Sequence, residues 1–476
     1  MAQSKVAPNE SAAINPATGE VLTRYPHQTA DEVQILLDQS IAAFRIWRDV
    51  EPAERGRLFG KLADVLRKRT DEFAITMTRE MGKPITQAKA EIEKCATLCE
   101  WAAAKGASLL DDEPTEIEGQ AAYVSYLPLG SILGIMPWNF PFWQAMRGIV
   151  PVVLAGNAFI LKHAPNCIAT AYNVASVFEE AGVPKGLISV LNVAQEDIEA
   201  IISDDRVAAV SLTGSVRAGS AVASQAGRAI KKTLLELGGS DPFIVLADAD
   251  LDRAVPAAVL ARFQNSGQIC IAAKRIIVEE SIAEEFSTRF VAAVKDLKVG
   301  NPEEEDTYIG PMARIDLRAE LTDQVRRTVE KGAKVLLEGG PQDAADGTAF
   351  FKPVILSGVE PGMAAFEEET FGPVASITIA KDAEDAIRLA NQSEFGLSGA
   401  IWTADVAKAR KYARRIESGG VFINGFAASD PRTPIGGVKK SGYGRELSHF
   451  GVREFTNAQI VWINRHYEPA VVAQPP

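Results

Sequence analysis

Val207-Ala208-Ala209-Val210-Ser211-Leu212-Thr213-Gly214-Ser215-Val216-Arg217-Ala218-Gly219 reads as a buried strand, a tight turn and the opening of a helix. An apolar run that ends on glycine and passes into a helix is the repeating unit of a parallel sheet with helices on its faces. The same grammar lies on both sides. Upstream, Phe159-Ile160-Leu161 is a strand, and Asn166 is placed to cap a helix that runs to Ala181 and stops at Gly182. Leu187 to Asn192 is a further strand. Downstream, a second α/β stretch begins near Pro242 and ends near Phe422. Its strands include Phe243-Ile244-Val245-Leu246 and Arg275-Ile276-Ile277-Val278, with helices such as Ile282 to Leu297 between strands. The fold class is therefore α/β.

The N-terminal region is helical. Thr29 with Glu32 three residues on has the spacing of a capping box, and Val33, Leu36, Leu37, Ile41 and Phe44 follow at helical intervals. Pro52 opens a second helix, and a third runs from Asp71 to Met81 and closes on Gly82. Tyr123-Val124-Ser125-Tyr126 and Gln459-Ile460-Val461-Trp462 are β-like segments far apart in sequence. The last eight residues read as a loose tail.

Length and composition narrow the function. The 476 residues suggest about three structural units. Fifty basic against sixty-two acidic residues give a net charge of -12, which disfavours nucleic acid or an anionic membrane as partner. Four cysteines are too few for a disulfide scaffold and fit a reducing, cytoplasmic setting, and no secretory signal follows Met1. The apolar stretch from Tyr123 to Leu161 is broken by Pro128, Pro137, Asn139, Pro141, Pro151 and Asn157, so it reads as buried core rather than a membrane span.

Several residues have the character of chemistry. The free N–H groups where the Gly214 turn enters its helix attract an anion, although a single G-x-x-x-x-G turn equally suits a plain strand-to-helix connection. Lys162 ends a strand and is either a reach toward ribose and phosphate or a solvated lysine; His163 beside it is a partly buried polar residue. Cys270 lies in the polar, turn-like Gln264-Asn265-Ser266-Gly267-Gln268-Ile269-Cys270, a setting for a reactive thiol or for a small buried side chain. Cys95 and Cys99 share a helix face and read as packing, as does Cys167; no metal site is expected. Glu236, an acid among Leu234, Leu235 and Leu237 ahead of two glycines, is a candidate general base or one half of an ion pair.

Together these pieces resemble the aldehyde dehydrogenase superfamily over nearly the whole chain. Pro137-Trp138-Asn139-Phe140-Pro141, Leu235-Glu236-Leu237-Gly238-Gly239, Gly267-Gln268-Ile269-Cys270, Glu369-Thr370-Phe371-Gly372-Pro373 and Gly442-Tyr443-Gly444-Arg445-Glu446 stand in the family's order. The resemblance implies Cys270 as nucleophile, Asn139 as oxyanion donor and Glu236 as the base that hydrolyses a thioester. It implies NAD or NADP held by Trp138, Lys162, Pro165, Gly214, Ser215, Gly219, Leu237, Glu369 and Phe371. NAD-selective relatives have a glutamate three residues after the lysine; Pro165 stands there, which leaves both dinucleotides usable.

The wording around Asn139, Lys162 and Glu236 is similar to that of bacterial succinate-semialdehyde dehydrogenases. The similarity implies that Arg147 holds a substrate carboxylate, assisted by Ser429 or Arg432, with Trp143 and Gln264 also at the substrate. Gln264 is a departure, because many of those enzymes have a second arginine there; Ala272 is another, standing where some relatives have a second cysteine that forms a redox disulfide. The implied activity is NAD(P)-dependent oxidation of succinate semialdehyde to succinate. Alternatives are a broader enzyme for glutarate semialdehyde or aliphatic aldehydes, and a non-catalytic relative.

The resemblance also implies a Rossmann-like cofactor domain over 1–120 and 140–241 and a catalytic α/β domain over 242–440. A small β oligomerisation arm with the C-terminal tail is expected over 121–139 and 452–476. A homodimer or homotetramer acting on a small-molecule aldehyde is the expected form.

Overall fold

The computed structural model describes residues 7–118, 120–342 and 347–463. Met1 to Lys5 and the expected tail after residue 463 lie outside the described residues. Two mainly parallel sheets organise the chain. The first runs Gly442–Tyr443, Lys232–Glu236, Val207–Thr213, Ser131–Met136, Ala158–His163, Ile188–Val190 from edge to edge, with only the Gly442–Tyr443 strand antiparallel. The second places Arg275–Glu279 and Pro242–Val245 near its centre, flanked by Val374–Ala380 and Ser398–Trp402. Its strands are parallel apart from Lys334–Leu337 at one edge. The strand over Val207–Thr213 has the span read from sequence.

The central strands are apolar and buried, the pattern expected of parallel strands covered on both faces. The helix Pro141–Leu154 is buried at every position and packs on Ala158–His163. Among the described residues no helix is long and apolar enough to cross a membrane. The N-terminal helices Ala30–Trp47, Pro52–Lys68 and Thr70–Met81 form as read: Thr29 and Glu32 make a capping box, and Gly82 ends the third helix in the left-handed region at φ 80°. Cys95, Cys99 and Cys167 are wholly buried among packed side chains.

Three local expectations change. Asn166 does not cap a helix. Pro165–Cys167 forms a 3-10 turn, the helix starts at Ile168, and the Asn166 amide has no hydrogen-bond partner. The cap comes from a distant carboxylate: Glu80 accepts from the N–H groups of Ala169 (2.8 Å) and Thr170 (3.0 Å). The strand expected over Leu187 to Asn192 is shortened to Ile188–Val190, because Asn192 turns its side chain to Ser11 and to the carbonyls of Tyr25 and Pro26. His163 is fully buried rather than partly so, its ring held by the Pro141 carbonyl and the Ala164 N–H.

The arm has different limits from those expected. Gln120–Pro128 pairs antiparallel with Thr456–Ile463, joining the two isolated β-like segments, with Ile460 opposite Val124. Glu113–Ile117, expected in the cofactor domain, is the third strand of this sheet. Ser131–Met136, expected in the arm, is a central strand of the first large sheet. Its run Ile132-Leu133-Gly134-Ile135-Met136 is apolar on both faces and is covered on both, whereas Glu113–Ile117 is largely exposed.

Candidate active site

The site forms where the C-terminal ends of the first sheet meet the N-terminal ends of the second. Asn139 follows Ser131–Met136, Gly214 follows Val207–Thr213, and Glu236 ends Lys232–Glu236; Cys270 and Glu369 to Phe371 precede Arg275–Glu279 and Val374–Ala380. Crevices at the carboxyl ends of parallel strands are where such sheets take ligands.

The Cys270 loop is tightly shaped. Asn265, Ser266 and Gly267 are successive left-handed residues with φ of 53°, 54° and 73°. Two buried cations hold this turn. The Arg262 guanidinium donates to the carbonyls of Gly267 (3.2 Å), Thr370 (2.9 Å), Gly372 (2.6 Å) and Val374 (2.6 Å), tying it to the Glu369 segment. Lys274 Nζ donates to the carbonyls of Cys270 (2.6 Å) and Ile269 (2.8 Å) and pairs with Glu369 Oε1 at 3.0 Å. The Asn139 side-chain amide donates to Gln268 O at 3.1 Å, and the Asn139 carbonyl accepts from Asn265 Nδ2 at 2.7 Å. Asn139 and Cys270 line one cleft.

Burial pushes the Cys270 thiol up to about 11, against the pull of Arg147 and Lys274; the charges of Glu369 and Glu236 push it further. The thiol alone is therefore protonated at neutral pH. Burial also raises Glu236, to about 8, with Arg147 opposing and Glu446 adding to the rise. Glu236 is 3% exposed, and its Oε1 has no hydrogen-bond partner. It does not itself line the cleft, but Leu237 and Gly238 next to it do.

The larger cleft has a volume of about 780 Å³ and takes in Trp138, Asn139, Gly214, Ser215, Leu237, Cys270, Glu369 and Phe371 of the expected residues. Its donor set suits a dinucleotide. Ser215 caps the helix Val216–Arg228 by accepting from Ala218 N, which presents the remaining first-turn N–H groups to an anion. Thr213 Oγ1, buried in the wall, has no partner. Trp138 and Phe371 meet edge to face at 5.6 Å. Backbone approach is close: a Cβ on Gly238 would fall 2.2 Å from Glu369 Oε2, and one on Gly219 would fall 2.6 Å from the Leu237 side chain. Lys162, Pro165 and Gly219 do not line the cleft. Lys162 nevertheless lies at the carboxyl end of its strand, paired with Ile135. Arg217 lines the cleft and was not singled out from sequence.

A second, smaller cavity of about 210 Å³ is also lined by Cys270. Arg147, Trp143, Gln264 and Ser429 all line it, and it shares Cys270 and Gln144 with the larger cleft. Cys270 thus lines both chambers. Arg147 is 2% exposed and its Nε pairs with Glu446, so its charge is already opposed by a carboxylate. Arg432 points its charge to Asp430, at 2.7 Å, and is exposed. Sequence reading overlooked Lys94, Arg262 and Lys274. Each looks like an ordinary basic residue until its side chain is found indoors, and Glu446 was visible only as part of a motif.

Residues 3–461 match the sequence model of the aldehyde dehydrogenase family. The chain is 55% identical to a succinate semialdehyde dehydrogenase [NAD(P)+] of Escherichia coli, over 95% of this chain and 98% of the relative. It is 46% identical to a probable succinate-semialdehyde dehydrogenase [NADP(+)] of Synechocystis, over 95% and 99%. The crystal structure of succinic semialdehyde dehydrogenase from Streptococcus pyogenes, in complex with NADP+, superposes with a TM-score of 0.92 at 35% identity, covering 95% of this chain and 99% of that one.

Proposed function

The chain belongs to the aldehyde dehydrogenase family, and from that premise we propose that it oxidises succinate semialdehyde to succinate with NAD or NADP through an acyl-Cys270 intermediate. The observation that carries the reading is the position of Cys270 on the wall of both chambers, one with a dinucleotide's donor set and one lined by cations. The aldehyde enters the smaller chamber, and Arg147, with Ser429, faces its carboxylate while Trp143 and Gln264 flank the chain. Cys270 Sγ, once its proton has passed to solvent water, bonds to the aldehyde carbon, and the carbonyl π electrons move onto oxygen. The oxyanion that forms is met by the Asn139 amide and the Cys270 N–H, donors that matter most when charge has moved onto oxygen. Bound nicotinamide dinucleotide supplies the acceptor for the hydride that leaves this carbon. The product on the protein is a Cys270 thioester. Glu236 takes a proton from water, the hydroxide adds to the thioester, and the C–S bond breaks to release the acid and the thiolate.

Trp138, Gly214, Ser215, Gly219 and Leu237 would hold the pyrophosphate side of the dinucleotide, Lys162 and Pro165 the adenosine ribose, and Glu369 with Phe371 the nicotinamide ribose. Lys274 sets the resting position of Glu369.

The test of substrate class is a ratio. Wild-type protein is expected to show a kcat/KM for succinate semialdehyde at least about tenfold above that for butanal, and Arg147→Ala to lower that ratio through KM. Arg147→Ala leaves Glu446 buried and unpaired, so the ratio is informative where the absolute rate is not. Equal kcat/KM values for the two aldehydes in the wild type would remove the carboxylate reading and leave a broader aldehyde dehydrogenase.

A dimer or tetramer assembled through the small sheet completes the proposal. Among the described residues Thr456–Ile463 lies at the edge of its sheet, with Ile460 54% and Ile463 52% exposed, and an exposed apolar edge strand favours pairing with another copy. Light scattering is expected to give at least twice the chain mass; a monomer at micromolar concentration would contradict it.

A further inference from the structure

Lys94 is set into the smaller cavity from the helix Ile85–Lys105, where sequence pattern alone would make it a surface residue. Its Nζ donates to Ser429 Oγ at 2.7 Å and lies 4.3 Å from the centre of the Trp143 ring. The carboxylates around it are all engaged elsewhere. Glu91, one turn earlier on the same helix, pairs with buried Lys83 and accepts from the N–H groups of Phe142 (2.9 Å) and Trp143 (2.8 Å). Glu446 pairs with Arg147, and Asp430 takes a two-pronged bond from Arg432. Among the described residues no carboxylate comes within salt-bridge distance of Lys94. Among the described residues the cavity is thus lined by an ammonium with no salt-bridge partner, by a second cation and by Cys270.

Resting on the semialdehyde reading above, we infer that Lys94 is a substrate-binding residue: its ammonium, with the Ser429 hydroxyl, binds the terminal carboxylate of the aldehyde as the uncompensated partner of Arg147. Arg147, buried and opposed by Glu446, and Lys94, partly exposed and without an ion-pair partner among the described residues, leave about one net positive charge for the ligand to neutralise. The Trp143 face stabilises the ammonium and limits its swing, which fixes the distance between carboxylate and thiol. Burial, and then Arg147, hold Lys94 down to about 8 in the free protein. The other charged or titratable groups around it are Glu91, Lys83 and Cys95 on its own segment and Asp430 on the loop after Ser429. A carboxylate arriving beside it favours the protonated form.

The sign of the pH effect follows. Lys94 is charged below about 8 and loses its proton above, whereas Arg147 stays charged throughout. Titration of Cys270 and Glu236 acts on every aldehyde and cancels in a ratio of substrates.

The experiment measures kcat/KM for succinate semialdehyde and for butanal in wild type, Lys94→Met and Lys94→Arg, across the range from about pH 6.5 to about pH 9.5. Expected for wild type is a preference for the semialdehyde that declines as pH rises through about 8. Expected for Lys94→Met is a preference reduced about 10- to 100-fold, mainly through KM. Lys94→Arg is expected to keep the preference and lose its pH dependence. A wild-type preference that is flat in pH and survives Lys94→Met would overturn the role of Lys94 and leave the semialdehyde reading standing. No preference in wild type would overturn the semialdehyde reading itself. Should Lys94→Met fail to fold, the wild-type pH series and Lys94→Arg decide the matter alone.

Discussion

Cys270→Ala is expected to lower turnover by about 10,000-fold or more while NADP still binds. In the proposed route Cys270 is the one group through which every step passes, so no neighbour shares its work. The other cysteines are poor substitutes: Cys95, Cys99 and Cys167 are wholly buried, and burial pushes each of their thiols well above its ordinary range. Reduced dinucleotide followed by absorbance gives the rate. Quenching of Trp138, which lines the larger cleft, gives binding. Loss of both signals together would indicate a collapsed cleft, and retained turnover would contradict the assignment of Cys270.

Glu236→Gln is expected to cost kcat about 100- to 10,000-fold and to do so after the oxidation step. Without a base for water, the acyl group stays on sulfur, so a first equivalent of reduced dinucleotide appears rapidly and then production stops. The pH dependence separates this from a general loss of activity. The proposed base works only as a carboxylate, and burial raises Glu236 to about 8, so in wild type kcat should climb as pH rises through that value. The climb is expected to vanish in Glu236→Gln. A wild-type kcat flat from about pH 6 to about pH 10, or a variant with no initial burst, would show that hydrolysis of the thioester does not depend on this residue.

Much of this arrangement was legible in the amino-acid order, and the rest was hidden for identifiable reasons. Strand Val207–Thr213 and its turn were readable because burial on both faces leaves an apolar run that stops at a glycine. The Thr29 capping box was readable because its hydrogen bonds are local. Asn166 misled because the residue that caps its helix, Glu80, is 89 positions from the Ala169 N–H it accepts. Ser131–Met136 was grouped with the arm because Gln120–Pro128 lies just before it, and only pairing with Ala158–His163 and Val207–Thr213 assigns it to the large sheet.

The chemistry divides in the same manner. Cys270, Glu236 and Asn139 stand in motifs, and Arg147, Trp143, Gln264 and Ser429 converge on a single cavity, whereas Arg432 turns out to Asp430. Lys94 lies 335 positions from its hydrogen-bond partner Ser429, on a helix whose neighbouring face is solvated, so nothing in its own surroundings marks it out. The pairing of Arg147 with Glu446 is likewise a tertiary fact, and it changes the charge available to a ligand.

The most direct measurement is mass spectrometry of the Glu236→Gln protein, quenched in acid within its first turnover on succinate semialdehyde and NADP. A succinyl group attached to the peptide that contains Cys270 is the expected result. An unmodified Cys270 in protein that has already produced an equivalent of NADPH, or a succinyl group on any other residue, would contradict the covalent route.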